Sequence, residues 1–443
     1  MCVDADAIVI GAGAAGLAAA RSLAGRAVRV VVLDGRDRVG GRVWSRPVAR
    51  TAAPAELGAE FIHGRGELTL RLLREVGVGA VDVAGELWTC SEDGQLRREG
   101  GGSSSAAGIF EGARGLANDE SVDRFLRRFE ANDATRETAR AARAFVEGFD
   151  AADPAIASAR AMADEWRSGV DSAIARPLGG YRSMLDHLQD ACVAAGVQIC
   201  LSTIVRRIAW RRGVVAIDVN RSGESRTIRA RAAIVTLPVG VLRYPGDEAA
   251  VAFAPELPPA KREALRSIEM GHAVKVALVF RTAFWERVQN GRYRDAAFFR
   301  CERQPFPTYW TQLPVRSTLI IAWAGGPEAI ATSGVAEADL VERALKGFGA
   351  LFNEPDLVRH EFEGGLTHDW NRDPFARGAY SYVAVGGKDA RTTLAAPVDD
   401  TLFFAGEATS TDGQGGTVNG ALESGERAAA EAATPLRAKA REA

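Results

Sequence analysis

The residues whose types and spacing suit them to chemistry begin at GAGAAG, Gly11–Gly16, between a short apolar run, Ala7–Ile10, and an alanine-rich stretch closing at Gly25. The pattern predicts strand, glycine turn and helix. In such a turn Gly11 permits the tight reversal, Gly13 lets a pyrophosphate approach the backbone, and Gly16 lets the helix pack closely on its strand. The phosphates then meet the free N–H groups of the first helical turn, Ala15 among them, at the positive end of the helix dipole. A second apolar run, Val28–Leu33, ends at Asp34, 23 residues after Gly11, where a carboxylate can accept hydrogen bonds from both ribose hydroxyls. Together these features specify a dinucleotide. A helix N-terminus supplies only about half a positive charge, so a diphosphate needs further neutralisation, and the segment Gly35–Ser45 offers Arg36 and Arg42 beside Gly41.

A different chemistry attaches to Lys275 in GHAVKVALVF, residues 271–280. Val274, Val276, Leu278 and Phe280 alternate with a face nearly as apolar, which predicts a strand interrupted by one charge. Only five of the 55 basic residues are lysines (Lys261, Lys275, Lys346, Lys388, Lys439), so this one departs from the chain's habit. By pattern alone it reads equally as an edge-strand side chain snorkelling to water and as a functional ammonium.

The elements that must position these residues belong to a long chain. Its 443 residues exceed what one compact core usually organises and predict two domains. The 47% hydrophobic and 25% charged content is that of a globular protein, and a formal charge of −2 gives no reason to expect nucleic acid or an anionic membrane as partner. No run approaches the roughly 20 apolar residues that span a bilayer. The N-terminus lacks the basic residues of a secretory leader, and the five scattered cysteines form neither CxxC pairs nor a metal cluster. A cytoplasmic protein with reduced thiols and no metal is expected.

From Asp34 the chain reads DGRDRVGGR, and here it resembles the flavin amine oxidase superfamily, which includes monoamine oxidases, polyamine oxidases, histone lysine demethylases and L-amino-acid oxidases. Asp34 replaces the family's more usual glutamate and Gly35 its usual alanine. The resemblance continues through AELGAEFIHG (Ala55–Gly64), GVQICLSTIVRRI (Gly196–Ile208), AAIVTLPVGVLR (Ala232–Arg243), THDWNRDPFARGAYSYV (Thr367–Val383), LFFAGEATS and GGTVNGALESGERAA (within Leu402–Ala429), in family order. It implies FAD as cofactor and an interleaved α/β architecture: a Rossmann-like FAD-binding domain from residues 1–75, 180–245 and 390–435, a mixed-sheet and helical substrate-binding domain from 76–179 and 246–389, and a tail at 436–443. Residues 99–112, rich in glycine and serine, read as a surface loop.

By the same resemblance Glu60 and Phe61 lie across the flavin ring, Val205 touches the adenine through its backbone, Glu407 faces the ribitol, and Thr417 and Val418 face the isoalloxazine. Lys275 would reach flavin N5 through a bound water. Tyr380 would form one wall of the slot guiding the amine nitrogen, with Trp370 packed close to the ring. Where monoamine oxidases place a second tyrosine this chain has Thr417, and where they place a flavin-linking cysteine it has Ala379, which implies non-covalent FAD. His63 resembles the channel histidine of polyamine and spermine oxidases. L-Amino-acid oxidases carry a carboxylate-binding arginine in this segment; Phe61 stands there, leaving Arg65 as the nearest cation. Histone demethylase activity is not expected, in spite of the similar block at 367–383, because the chain lacks room for the long helical insertion and extra N-terminal domain of those enzymes. The expected activity is oxidation of a polyamine or another secondary or primary amine, hydride passing from the α-carbon to N5 and the electrons to oxygen to give hydrogen peroxide. L-Amino-acid oxidation and amine dehydrogenation with another acceptor are the alternatives, and a monomer or homodimer is expected.

Overall fold

The protein is described from a computed structural model that covers residues 4–91, 93–99, 108–170, 173–244, 246 and 249–440. Most of the glycine- and serine-rich stretch at 99–112 lies outside the described residues.

The runs AIVI, VVVL, AAIV and LFF are apolar on both faces, as strands covered on both sides must be. They form, with Gln198–Cys200, one parallel sheet in the order Gln198–Cys200, Val30–Leu33, Ala7–Ile10, Ala232–Val235, Leu402–Phe404. All three sequence segments assigned to the nucleotide thus meet in a single sheet. On one face the helix Ala14–Ala24 packs beneath the long helix Val418–Ala440. Gly425 permits the close crossing, since a Cβ there would stand 2.2 Å from the Ala15 carbonyl oxygen. On the other face lies a four-stranded sheet, Glu224–Ala230, Val214–Arg221, Ile204–Arg211 and Ala252–Ala254. Its Val205, Ile208, Val215 and Ile217 pack with Ile8, Ile10 and Leu33 in a core that runs on through Leu257, Leu265, Ile268 and Met270. The boundary expected at 245 therefore falls inside a packed unit. The expected tail is also corrected: through Ala440 it continues the last helix, because Leu436 is buried against the first one.

The second large sheet has seven strands, ordered Phe362–Asp369, Ala273–Phe280, Leu319–Gly325, Thr308–Trp310, Ala296–Arg300, Glu86–Cys90, Leu96–Arg98. The strand of Lys275 is second in this order, paired on both sides, and every residue in it is buried. The edge-strand reading is thereby excluded. Period two sends Val274, Val276, Leu278 and Phe280 into an aromatic core under the helix Glu337–Phe352, with Phe284, Trp285 and Phe348. Ala277 and Val279 pack on the opposite face against Ala55, Leu57 and Trp310, and Lys275 shares that face. The helices Val122–Glu130, Arg136–Gly148 and Ala159–Arg167 gather on Phe110, Phe125 and Trp166 beside it. Among the described residues no helix is long and apolar enough to cross a membrane.

Candidate active site

A cavity of about 800 Å³ runs between the two sheets, from the glycine turn to the face that carries Lys275. Every residue assigned to the site from sequence lies on its wall except Gly16: Gly11, Gly13, Ala15, Asp34, Arg36, Gly41, Arg42, Glu60, Phe61, His63, Val205, Lys275, Trp370, Tyr380, Glu407, Thr417 and Val418. Gly16 has a packing role, since a Cβ would sit 1.8 Å from the Gly11 carbonyl oxygen, whereas one on Gly13 would meet nothing nearer than Gly40 O at 3.9 Å. That open side of Gly13, at the N-terminus of the helix Ala14–Ala24, leaves room for a diphosphate. Asp34 closes the turn by accepting the Ala12 N–H (2.6 Å) on one oxygen and the Arg36 N–H (2.8 Å) on the other. Each oxygen keeps a lone pair for a ribose hydroxyl.

The two arginines on this wall are held by ion pairs. Arg36 closes its guanidinium fork on Asp373, at 2.8 and 2.6 Å, and Arg42 donates to Glu407 (2.8 Å) and to the Ala379 carbonyl (2.9 Å). Both guanidinium groups are thus oriented by a carboxylate while remaining on the cavity wall. Burial alone would raise the Asp373 carboxyl, but hydrogen bonds from His368 and Arg36 hold it well below the usual carboxylate range. Glu407 is likewise held low against its burial by Arg42, Arg391 and the Ser381 hydroxyl, which donates at 2.6 Å.

Around Lys275 the donors are fully used. Its ammonium, 2% exposed, donates to the backbone carbonyls of Glu56 (2.9 Å) and Gly58 (3.0 Å) and to Glu60 Oε2 (2.8 Å). A lysine has three N–H donors, and these three acceptors match them in number. The other Glu60 oxygen accepts from Arg176 Nε (3.2 Å), Trp310 Nε1 (2.9 Å) and Gln312 Nε2 (3.3 Å). Trp370 is fixed by its indole N–H to Leu57 O (2.8 Å) and meets His368 edge-on.

Past this cluster the wall becomes aromatic. Tyr380 donates its hydroxyl to the Phe149 carbonyl; His63 meets Phe149 edge to face at 5.1 Å and Phe61 at 6.0 Å. Burial pushes the His63 imidazole down to about 4, so it is neutral at physiological pH, and its Nδ1 has no hydrogen-bond partner among the described residues. Thr417 is occupied as a helix cap, accepting the Gly420 N–H (2.9 Å) and donating to Gln414 O (2.9 Å), so its hydroxyl is not available to complete a slot opposite Tyr380. Phe149, Glu165, Arg176 and Trp310 also line or support the cavity and were missed from sequence. They lie in segments without a motif, and only the lone aromatic or charged residue within an apolar run could have drawn attention to them. Glu165 is pushed up to about 7 by burial, opposed by Arg391 and reinforced by Glu407. Arg65 is exposed and off the wall.

A profile described as flavin-containing amine oxidoreductase matches residues 14–121 and 113–433. The chain belongs to that family. FAD is its cofactor, and the open glycine turn, Asp34 and the adjoining cavity fit it. Among relatives, the rice (Oryza sativa subsp. japonica) lysine-specific histone demethylase 1 homolog 2 is 28% identical over 96% of this chain and 56% of its own length. FLOWERING LOCUS D of Arabidopsis thaliana is 28% identical over 98% and 56%. The chain spans about half the length of the curated relatives it matches. In fold it is similar to cyclohexylamine oxidase from Brevibacterium oxydans IH-35A (TM-score 0.80, 21% identity, 98% of this chain and 100% of that one) and to wild-type putrescine oxidase bound to putrescine (0.77, 20%, 96% and 98%).

Proposed function

We propose that the protein is an amine oxidase that acts on a polyamine or another secondary or primary amine, uses oxygen as acceptor, releases hydrogen peroxide and holds its FAD non-covalently. The observation that carries this reading is the continuity of one cavity from the Gly13–Asp34 cradle, past Lys275, to the aromatic wall of Tyr380, His63 and Phe149. Bound FAD supplies the acceptor for a hydride from the carbon beside nitrogen, leaving an imine that water hydrolyses to an aldehyde, and hands the electron pair to oxygen. The chain's own part is to place that C–H bond and keep water away. Tyr380, its hydroxyl tied to Phe149, presents a fixed ring, and neutral His63 adds no positive charge to repel an amine. Asp150 and Glu165, close enough to act electrostatically on Tyr380, put carboxyl groups on the wall where a second, protonated nitrogen gains by approaching. Ala379 carries no thiol to bond the flavin. The amino-acid alternative loses the cation its segment offered, because Arg65 is off the cavity wall.

The test is anaerobic mixing of the purified holoprotein with diamines, polyamines, arylalkylamines, an N-methyl-lysine peptide and α-amino acids, followed by air. Bleaching of the flavin by a di- or polyamine, with peroxide on aeration, is expected. Bleaching by α-amino acids alone would refute the substrate class, and reduced flavin that persists in air would refute the acceptor.

A further inference from the structure

The segment that covers the cavity holds a buried carboxylate, Glu60, which closes a charge cluster of unusual completeness. Glu60 is 5% exposed and accepts four hydrogen bonds, from Lys275, Arg176, Trp310 and Gln312. Arg176, itself buried, also donates from Nη1 to the Leu313 carbonyl (2.7 Å) and from Nη2 to the Thr311 carbonyl (3.0 Å). The cluster therefore contains two cations and one anion, shielded from water, with Lys275 and Glu60 on the cavity wall. In so dry a site charges are felt strongly, and a carboxylate that is removed is not replaced by solvent.

We propose that Glu60 is a positioning residue that pins the Lys275 ammonium and halves the positive charge of this cluster beside the FAD site, so that Lys275 acts as a fixed, partly neutralised charge. The geometry supports it in two ways. All three lysine donors end on protein acceptors, and two of those acceptors, the carbonyls of Glu56 and Gly58, belong to the same covering segment as Glu60. Two further titratable groups stand close by. Glu56 has its carboxyl turned to Ser45 and the Tyr181 N–H, and His368, opposite Lys275 on the neighbouring strand, bonds Asp373. Neither takes a Lys275 donor through its side chain.

The inference rests on the FAD site and not on amine turnover, and its test needs no substrate. The reduction potential of the bound FAD is measured at one pH by dye equilibration in the wild type, E60Q, K275M and E60Q/K275M. Because the reduced flavin carries the greater negative charge, E60Q is expected to favour reduction at least tenfold, about 30 mV upward for a two-electron couple. K275M shifts the potential downward by a similar factor, and the double variant returns to within about twofold of wild type. An unchanged or lowered potential in E60Q overturns the proposal. Should E60Q not accumulate with FAD, the charge-balanced double variant decides: a downward shift as large as that of K275M alone overturns it. An amine panel that fails to bleach the flavin would leave these potentials measurable, so the two readings fail separately.

Discussion

Gly13 and Gly16 are three residues apart in one turn, yet the structure gives them opposite reasons for lacking a side chain, and substituting alanine at each separates the reasons. At Gly16 a Cβ would stand 1.8 Å from Gly11 O and 2.9 Å from Gly11 C. Comfortable contact needs about 3.5 Å, and both partners are backbone, so the helix must lift off its strand. Overpacking of this kind costs about 1–3 kcal/mol, and a rigid backbone partner places Gly16→Ala near the upper figure. At Gly13 the nearest atom would be 3.9 Å away, and the residue's φ of −74° and ψ of −175° suit alanine. Gly13→Ala should therefore change the stability of the apoprotein by less than about 0.5 kcal/mol, while its methyl group takes the space of the diphosphate and weakens FAD at least tenfold, about 1.4 kcal/mol. The assay is urea unfolding of each apoprotein followed by circular dichroism, paired with FAD titration by fluorescence. Wild-type FAD affinity in Gly13→Ala would refute the placement of the diphosphate. A Gly16→Ala apoprotein as stable as wild type would refute the packing argument.

Three further outcomes are expected. Lys275→Met should slow flavin reduction or reoxidation at least about tenfold, roughly 1.4 kcal/mol of barrier, and unchanged rates for both half-reactions in stopped-flow absorbance would remove Lys275 from the mechanism. Tyr380→Phe keeps the ring and loses one hydrogen bond to Phe149 O, so it should cost about 1 kcal/mol of stability with turnover near wild type, whereas Tyr380→Ala should lower kcat/KM for the amine at least about tenfold; equal turnover in the two variants would argue against a slot wall. Burial raises the Glu165 carboxyl to about 7, so the native state holds a proton that the unfolded chain releases near its ordinary value. Its contribution to stability is then full below about pH 4.5 and is lost as pH rises to about 7. Glu165→Gln should flatten that fall by up to about 3 kcal/mol in urea titrations at several pH values, while Glu56, also raised to about 7 by burial, keeps its own share.

Sequence alone was informative wherever the determining geometry is local. The glycine turn fixes its own backbone path, and Asp34 follows because the second strand must run parallel to the first, so the nucleotide end of the cavity could be read from spacing. Period two likewise placed Lys275 opposite Val274 and Val276 before any partner was known. Local pattern is silent about partners far along the chain, and there tertiary structure decided. Arg36 finds Asp373 across 337 residues, Lys275 finds Glu60 across 215, and Arg176 comes to Glu60 across 116. Those pairings supply the counter-charges of two arginines expected to meet a diphosphate and the acceptors of a lysine expected to hold water. The reason is desolvation: once the fold takes a charge out of water it must find a counter-charge or carbonyls at hydrogen-bond distance, and which of them lies within reach is a property of packed elements.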